Sequence, residues 1–153
     1  MQRTRRPLFV LALALPCLLA QTAESPPMLD ALLAGERVRA SVESLASRVP
    51  LAEGQDFRVA EVGRDAGTSH HVVAIRTAET PHRHDRHDLF VVMLRGHGTW
   101  RVGDETRPVG EGSLLYIPRG TVHAFGNESD ANAIAYAVYV PPFDGEDRVE
   151  LEE

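Results

Sequence analysis

The sequence predicts an all-β fold, a sandwich or a closed barrel, with a short helical segment before it. Segments rich in β-branched and aromatic residues recur along the second part of the chain, and turns containing Gly, Asp or Asn separate them. The predicted strands lie at residues 57–62, 69–77, 89–95, 99–102, 114–117, 122–125 and 133–140. Many short strands at regular spacing are typical of a sandwich or barrel.

Bulk composition narrows the classes of function. The 153 residues are enough for one domain, and 43% of them are hydrophobic. The formal net charge is -6, which argues against a nucleic-acid partner because no overall basic surface is available. Every basic residue is an Arg, so Schiff-base and other lysine chemistry is excluded.

Residues 1–20 have the layout of a secretory signal peptide. Three arginines lie among the first six residues, a short apolar run follows at 8–20, and a cleavage context precedes Gln21. The run is too short for a membrane span, so we expect an exported protein, periplasmic or extracellular. Residues 4–8 also resemble a twin-arginine signal, and lipidation of Cys17 is an alternative fate.

Residues 21–56 are predicted to form an N-terminal helical segment. Residues 25–27, Ser-Pro-Pro, are typical of a helix start, and Gly35 is expected to interrupt the helix. Apolar residues at helical spacing then continue to Pro50: Val38, Val42, Leu45 and Val49. We expect this helix to pack on the outside of the domain.

Residues 57–143 form the predicted barrel, and residues 144–153 form an acidic tail. The tail contains six carboxylates, and the usual interpretation of such a run is a solvated segment. We therefore expect the chain to be mobile after Gly145.

A histidine-rich stretch carries the first candidate ligands. His82 and His84 are two residues apart, so in an extended strand both rings point to one face. Paired imidazoles on one face form half of a metal site. Asp88 could add an oxygen ligand, and His87 is a further candidate donor, with an exposed loop histidine as the alternative.

A second stretch, residues 112–127, carries the third candidate. A predicted strand enters a turn at Pro118 and Gly120, and the next strand carries His123. The Gly and Pro residues shape the turn, so His123 supplies the strong ligand chemistry of this stretch. We expect His70, His71 and His97 not to be ligands, because single histidines are common without metals.

The second stretch resembles a motif of the cupin superfamily. That motif reads Gly, five residues, Pro, one residue, Gly, two residues, His, three residues, Asn. Every position is matched, by Gly112, Pro118, Gly120, His123 and Asn127.

The histidine-rich stretch resembles the other motif of the same family, which reads Gly, five residues, His-x-His, three or four residues, Glu, six residues, Gly. His82, His84 and Gly96 match it. Arg76 stands in place of the first Gly. The position of the Glu falls on Leu89 counting back from Gly96 and on Asp88 counting forward from His84.

The resemblance covers residues 57–143 and implies a double-stranded β-helix, a jelly-roll barrel. It also implies metal ligands at His82, His84 and His123, with Asp88 as the candidate carboxylate. A β-bulge would bring Asp88 into register. Without it, Leu89 points inward, and three His plus water, or His87, complete the site.

The expected cofactor is one divalent transition metal ion, since nitrogen-rich and sulfur-free ligands suit Mn, Fe, Co, Ni, Cu or Zn. The first hypothesis is a metal-dependent enzyme that acts on a small molecule. The alternative is a non-catalytic small-molecule binding or sensing protein, and a third option is a barrel without metal. A small-molecule ligand or substrate is the expected partner, and a homodimer is left open.

Overall fold

A computed structural model describes residues 29–151 of the chain. These residues form β-strands and one short helix. The strands are β1 (Leu29–Leu33), β2 (Glu36–Ala40), β3 (Phe57–Arg64), β4 (Ser69–Ile75), β5 (His82–Arg83), β6 (Asp88–Arg95), β7 (His97–Val102), β8 (Glu105–Gly110), β9 (Leu114–Ile117), β10 (His123–Asn127), β11 (Ala133–Val140) and β12 (Val149–Glu150), and the helix is α1 (Val42–Ala46). The predicted signal peptide, residues 1–20, lies outside the described residues.

Two five-stranded antiparallel sheets form the barrel. One has the strand order β12-β5-β10-β7-β8, and the other has the order β3-β4-β11-β6-β9. Strands that are distant in sequence are neighbours in both sheets, as β5 and β10 or β4 and β11 are. The predicted all-β fold, a double-stranded β-helix of the jelly-roll type, is confirmed.

Apolar side chains at alternate positions of the strands fill the space between the sheets. On β6, Leu89, Val91 and Met93 are buried, while Phe90 between them is 43% exposed. The inward side chains pack in one apolar cluster with Trp100 and other residues from both sheets. Successive side chains of a strand point to opposite faces, so the apolar alternation in the sequence selects the interior face.

The N-terminal segment covers the outer face of the second sheet. Leu45 and Val49 are completely or almost completely buried, and they pack against Val72 of β4 in a second apolar cluster. Each such burial contributes about 1.5–3 kcal/mol. The expected packing of this segment on the outside of the barrel is therefore seen, although little of it is helical.

A β-hairpin replaces the first predicted helix. β1 pairs antiparallel with β2 through a two-residue turn at Ala34 and Gly35, whose φ angles are 49° and 84°. Positive φ at both central residues is typical of the tight turns that connect paired strands. Asp30 on β1 accepts hydrogen bonds from Arg37 and Arg39 across the hairpin. Within residues 29–56 the predicted helix is thus wrong except for the single turn of α1, and its predicted start at residues 25–27 lies outside the described residues.

The acidic tail is part of the fold up to Leu151. β12 pairs with β5, at Val149–Arg83 and Glu150–His82, and Asp147 is only 4% exposed. The expectation of a solvated segment is wrong here because a charge run in the sequence does not reveal which carboxylates find buried partners. We call residues 144–151 the C-terminal strap.

No helix within residues 29–151 is long and apolar enough to cross a membrane.

Candidate metal centre

Three histidines meet on neighbouring strands of one sheet. β5 pairs with β10 at a single position, where His82 lies opposite His123. His84 follows His82 by two residues and points to the same side. The backbone N–H of Gly120 donates to the carbonyl oxygen of His84 at 2.7 Å, which fastens the turn before β10 to this position. Gly120 has a φ of 77°, a left-handed conformation that favours glycine.

The three rings lie close together in the interior. His82, His84 and His123 are each 2% exposed, and one ring nitrogen from each lies within 4.8 Å of those from the other two. The ring centroids of His82 and His123 are 4.2 Å apart, and His84 lies 5.3 and 5.6 Å from them. We call these three residues the histidine cluster.

Main-chain carbonyls fix the orientation of all three rings. Each Nδ1 atom is hydrogen-bonded to a carbonyl oxygen. The partner of His82 is Thr80 at 2.9 Å, that of His123 is Thr121 at 3.0 Å, and that of His84 is Asp147. A carbonyl can only accept, so each Nδ1 carries the proton and each Nε2 keeps a lone pair. The Nε2 atom of His84 is buried without a hydrogen-bond partner.

This donor set suits a metal ion. Metal-ligating histidines commonly donate their second ring nitrogen to a carbonyl or carboxylate, and that bond fixes the tautomer. Neutral imidazoles with free Nε2 lone pairs bind Zn, Cu, Fe or Ni. A bound ion would act as a Lewis acid toward a carbonyl, phosphoryl or hydroxyl oxygen placed beside it.

Burial keeps the cluster neutral. It lowers the pKa of His82 to about 2, with His123 and Arg148 adding to the effect, and it lowers the pKa of His123 to about 4. Burial also lowers the pKa of His84, although hydrogen bonding to the Asp147 carbonyl opposes it. A histidine must be neutral to bind a metal ion, so burial already favours the charge state that binds.

A buried ion pair borders the cluster. Arg148 of the C-terminal strap donates from Nη1 to Nε2 of His82 at 2.7 Å. The same Nη1 atom lies 3.8 Å from Oε1 of Glu79, whose side chain is 11% exposed. Arg148 also contacts Glu150 at 3.3 Å and lies over the ring of Phe57.

Glu79 is in an unusual environment for a carboxyl group. Burial raises its pKa to about 7, while the charge of Arg148 and a backbone hydrogen bond at Phe125 act in the opposite direction. A buried acid that titrates near neutral pH can exist in either protonation state under physiological conditions.

Asp147 holds the segment that leads away from His84. Its carboxylate accepts the backbone N–H groups of Asp85 and Arg86 at 3.1 and 2.8 Å. It also accepts from Nδ1 of His87, and its own carbonyl receives Nδ1 of His84. One residue of the strap thus fixes both the loop and one ring of the cluster.

The structure places Asp88 away from the histidine cluster. Its carboxylate accepts the backbone N–H and the guanidinium of Arg119 at 2.9–3.1 Å. These bonds hold the pKa of Asp88 down at about 2. The residue that lines the interior beside His82 and His123 is Leu89, as expected for the register without a bulge. Asp88 is therefore not among the residues that this structure brings together.

His87 is buried, but both of its ring nitrogens have other partners. Nδ1 contacts Asp147, and Nε2 lies 3.2 Å from the carbonyl oxygen of Pro142. It is neither a member of the cluster nor an exposed loop histidine. Its place in the structure is that of a buried link between β6 and the strap.

The remaining predicted non-ligands lie apart from the cluster and have partners of their own. The hydrogen-bond partners are Thr68 and Tyr136 for His70, Ser69 for His71, and Ser129 for His97. None of them is in the group of residues that could share an ion within the described part of the chain.

Sequence reasoning missed Glu79, Arg148 and Asp147. Glu79 lies three residues before His82, outside the pattern that selected the histidines. The two strap residues lie 60 or more positions from the histidines they contact, so only the pairing of β12 with β5 brings them there. The available signal was the alternation of Val149 and Leu151, two apolar residues inside the charge run.

A cavity of about 40 Å³ lies beside the cluster. His82, His123, Glu79, Arg148 and Tyr139 contribute to its wall, with apolar side chains around the rest. Such a volume holds only a few water molecules. A ligand larger than that requires the wall to move.

Sequence comparison identifies one shared domain. The family model described as Cupin domain matches residues 69–139. An uncharacterized protein of Aquifex aeolicus is 33% identical over 98 residues, which are 64% of this chain and 80% of that protein.

Comparison with solved structures finds the same fold. A Klebsiella pneumoniae protein with a double-stranded β-helix domain has a TM-score of 0.62 at 16% identity, covering 72% of this chain and 96% of its own. Pac13 of Streptomyces, a nucleoside dehydratase, has a TM-score of 0.56 at 16% identity, covering 69% and 87%. At this level of identity the likeness concerns the fold alone.

Proposed function

The chain belongs to the cupin superfamily, and from this premise we propose that it is a metal-dependent enzyme that acts on a small molecule. One divalent transition metal ion would be held by His82, His84 and His123. The observation that carries the proposal is the common orientation of the three rings. Each Nδ1 donates to a main-chain carbonyl, so the Nε2 lone pair of each ring could bind an ion once Arg148 no longer donates to that of His82.

One of these Nε2 atoms argues against a barrel without metal. The buried Nε2 of His84 has no hydrogen-bond partner, and a buried polar atom without one costs about 1–3 kcal/mol. A metal ion would satisfy this atom. It would supply Lewis-acid polarisation of the substrate, while the protein residues bind, orient and exclude water.

Glu79 supports the catalytic form of the proposal. It lines the cavity beside the cluster, and burial brings its pKa to about 7. A carboxyl group with that pKa can change its protonation state at neutral pH, so Glu79 can serve this site either by carrying a proton or, ionised, as an anionic partner of the ion. The Pac13 dehydratase shows that a barrel of this fold can host an enzyme, although the likeness does not extend its reaction to this chain.

Metal content tests whether the three histidines bind an ion, as the proposal requires. Protein purified from its native compartment should contain about one divalent ion per chain, measured by elemental mass spectrometry. The triple change of His82, His84 and His123 to Ala should remove it, whereas His97→Ala should not. Equal metal content in the triple variant and the parent would contradict the proposal.

A second candidate is non-catalytic binding or sensing of a small molecule. The observation in its favour is the cavity, because at about 40 Å³ it admits a small molecule only if its wall moves, and such a movement is the response that a sensor needs. Sensing would predict that metal or ligand changes the exposure of the C-terminal strap without any turnover. Limited proteolysis with and without added Zn²⁺ would detect this change.

We also propose export, which is supported by the arginine-rich start and the apolar run at 8–20. The native protein should then begin near Gln21 in mass spectrometry. An intact Met1 on a cytoplasmic protein would contradict export.

A further inference from the structure

We infer that Glu79 is the carboxylate ligand of the metal site. When no ion is bound, the guanidinium of Arg148 lies between Glu79 and His82. The inference rests on the proposed function, because it concerns the same histidine cluster. It assigns a ligand that lies outside the His-x-His segment and before it in the chain.

The first step concerns the lone pair on Nε2 of His82. In this structure that lone pair accepts a hydrogen bond from Nη1 of Arg148 at 2.7 Å. One lone pair serves one partner, so a metal ion at His82 and this contact of Arg148 exclude each other. Metal binding therefore requires the guanidinium to leave His82.

The second step concerns charge. A divalent ion on three neutral imidazoles would carry two positive charges in the interior, and Arg148 would add a third beside them. Buried charges are stable only when opposite charges pair with them. Among the described residues that line the cavity, Glu79 is the carboxylate.

The third step concerns the position of Glu79. Its Oε1 atom lies 3.8 Å from Nη1 of Arg148, and the same nitrogen lies 2.7 Å from Nε2 of His82. One cationic group thus stands between a carboxylate and a ligand imidazole. When that group leaves, the carboxylate loses its partner inside the barrel and faces the cluster directly.

The fourth step removes the competing carboxylate. Asp88 is satisfied by three hydrogen bonds from Arg119, and Leu89 occupies the inward position next to it. Arg148 is held by few hydrogen bonds, because its strap carries only the short strand β12 and its Nη2 atom has no hydrogen-bond partner.

Metal affinity and the spectrum of bound Co²⁺ test the inference. Chelator-treated full-length protein is titrated with Zn²⁺ in competition with a chromophoric chelator, and with Co²⁺ in the visible range. Glu79→Gln should lower affinity about tenfold or more and change the Co²⁺ spectrum, because a charged ligand is lost. The matched control Asp88→Asn should leave both readouts unchanged.

Arg148→Met should raise metal affinity, because it removes the competing donor. The double variant Glu79→Gln with Arg148→Met separates ligation from charge balance, since it leaves no unpaired charge in the interior. If Glu79 is a ligand, the double variant binds about tenfold or more weakly than Arg148→Met does and keeps the altered spectrum. If Glu79 only balances Arg148, the double variant binds as Arg148→Met does, with the parental spectrum, and the inference is overturned.

Other outcomes are equally decisive. A parental protein that binds neither ion would overturn the proposed function together with this inference. Parental binding that is unchanged in Glu79→Gln would overturn the inference and leave the proposed function standing. Should Glu79→Gln unfold, the double variant, which leaves no unpaired charge, makes the same comparison against Arg148→Met, and an unchanged Co²⁺ spectrum there would also overturn the inference.

Discussion

Close contact between two strands limits what can stand at Gly98. A Cβ atom there would lie 2.0 Å from the carbonyl oxygen of Gly126 and 2.9 Å from the ring of Phe125. Backbone cannot give way as a flexible side chain can. β7 and β10 therefore pair at this spacing only with glycine at position 98.

We expect Gly98→Ala to destabilise the protein by about 1–3 kcal/mol or more, because the added methyl group forces β7 away from β10. Urea unfolding followed by circular dichroism measures the change. Gly67→Ala is the matched control, since its Cβ would meet only Asp65 Oδ1 at 3.7 Å in an exposed turn. Equal stability of the two variants would contradict the explanation.

The three histidines of the cluster could be predicted from the sequence, whereas their neighbours could not. His82, His84 and His123 follow from a two-residue spacing and a fixed motif, both of which are local. The choice between Asp88 and Leu89 depended on a one-residue register. A shift of the strand by one residue moves every side chain to the opposite face. The partner that holds Asp88 outside the interior, Arg119, is distant in sequence.

The C-terminal strap is the element whose role differs most from expectation. Through Asp147 it fixes the backbone at Asp85 and Arg86 and one ring of the cluster. This element has little apolar surface of its own. Its position depends on polar bonds to the barrel and on the pairing of β12 with β5.

Asp147→Ala should therefore lower metal affinity about 10–100-fold, the range typical for loss of a supporting hydrogen-bond partner. The carbonyl bond to His84 would remain possible, but the loop that orients it would lose its anchor. Zn²⁺ competition titration measures the effect. Glu146→Ala, at an exposed neighbouring position of the strap, should bind as the parent does, and unchanged affinity in both variants would argue against this role.

The elements that the sequence predicted are those with apolar alternation. β4, β6 and β11 contain buried Val, Ile, Leu, Met or Ala at every second position or more densely, and β10 buries Phe125. The missed strands β5, β8 and β12 are short or polar, and pairing with a neighbour gives them their extended form. The hairpin β1-β2 was hidden because apolar residues at 29, 32 and 33 suit either period.

At the scale of the whole molecule, buried histidines make the metal-free fold sensitive to acid. Burial lowers the pKa of His71 and His123 to about 4 and that of His82 to about 2, from 6.5. Below pH 6.5 the unfolded chain takes up protons that the folded protein does not. Stability is therefore lost as pH falls through this window, although Glu79, with its raised pKa, opposes the trend.

We expect the free energy of unfolding in the presence of a chelator to be lower by at least about 2 kcal/mol at pH 5 than at pH 7. Urea unfolding at the two pH values measures it. His71→Gln should reduce the difference by about 1–2 kcal/mol. His97→Gln, at an exposed position, should leave it unchanged, and a parent whose stability is the same at both pH values would contradict the linkage.

The bond between the Asp147 carbonyl and His84 also has a consequence for the order of synthesis. Ribosomes make the chain from the N-terminus, so β3 to β11 emerge before residue 147 does. The ring of His84 has no fixed tautomer until the strap arrives and pairs β12 with β5. A nascent barrel can thus collapse around its apolar interior before residue 147 is made, while the ring of His84 is fixed only after the strap has emerged.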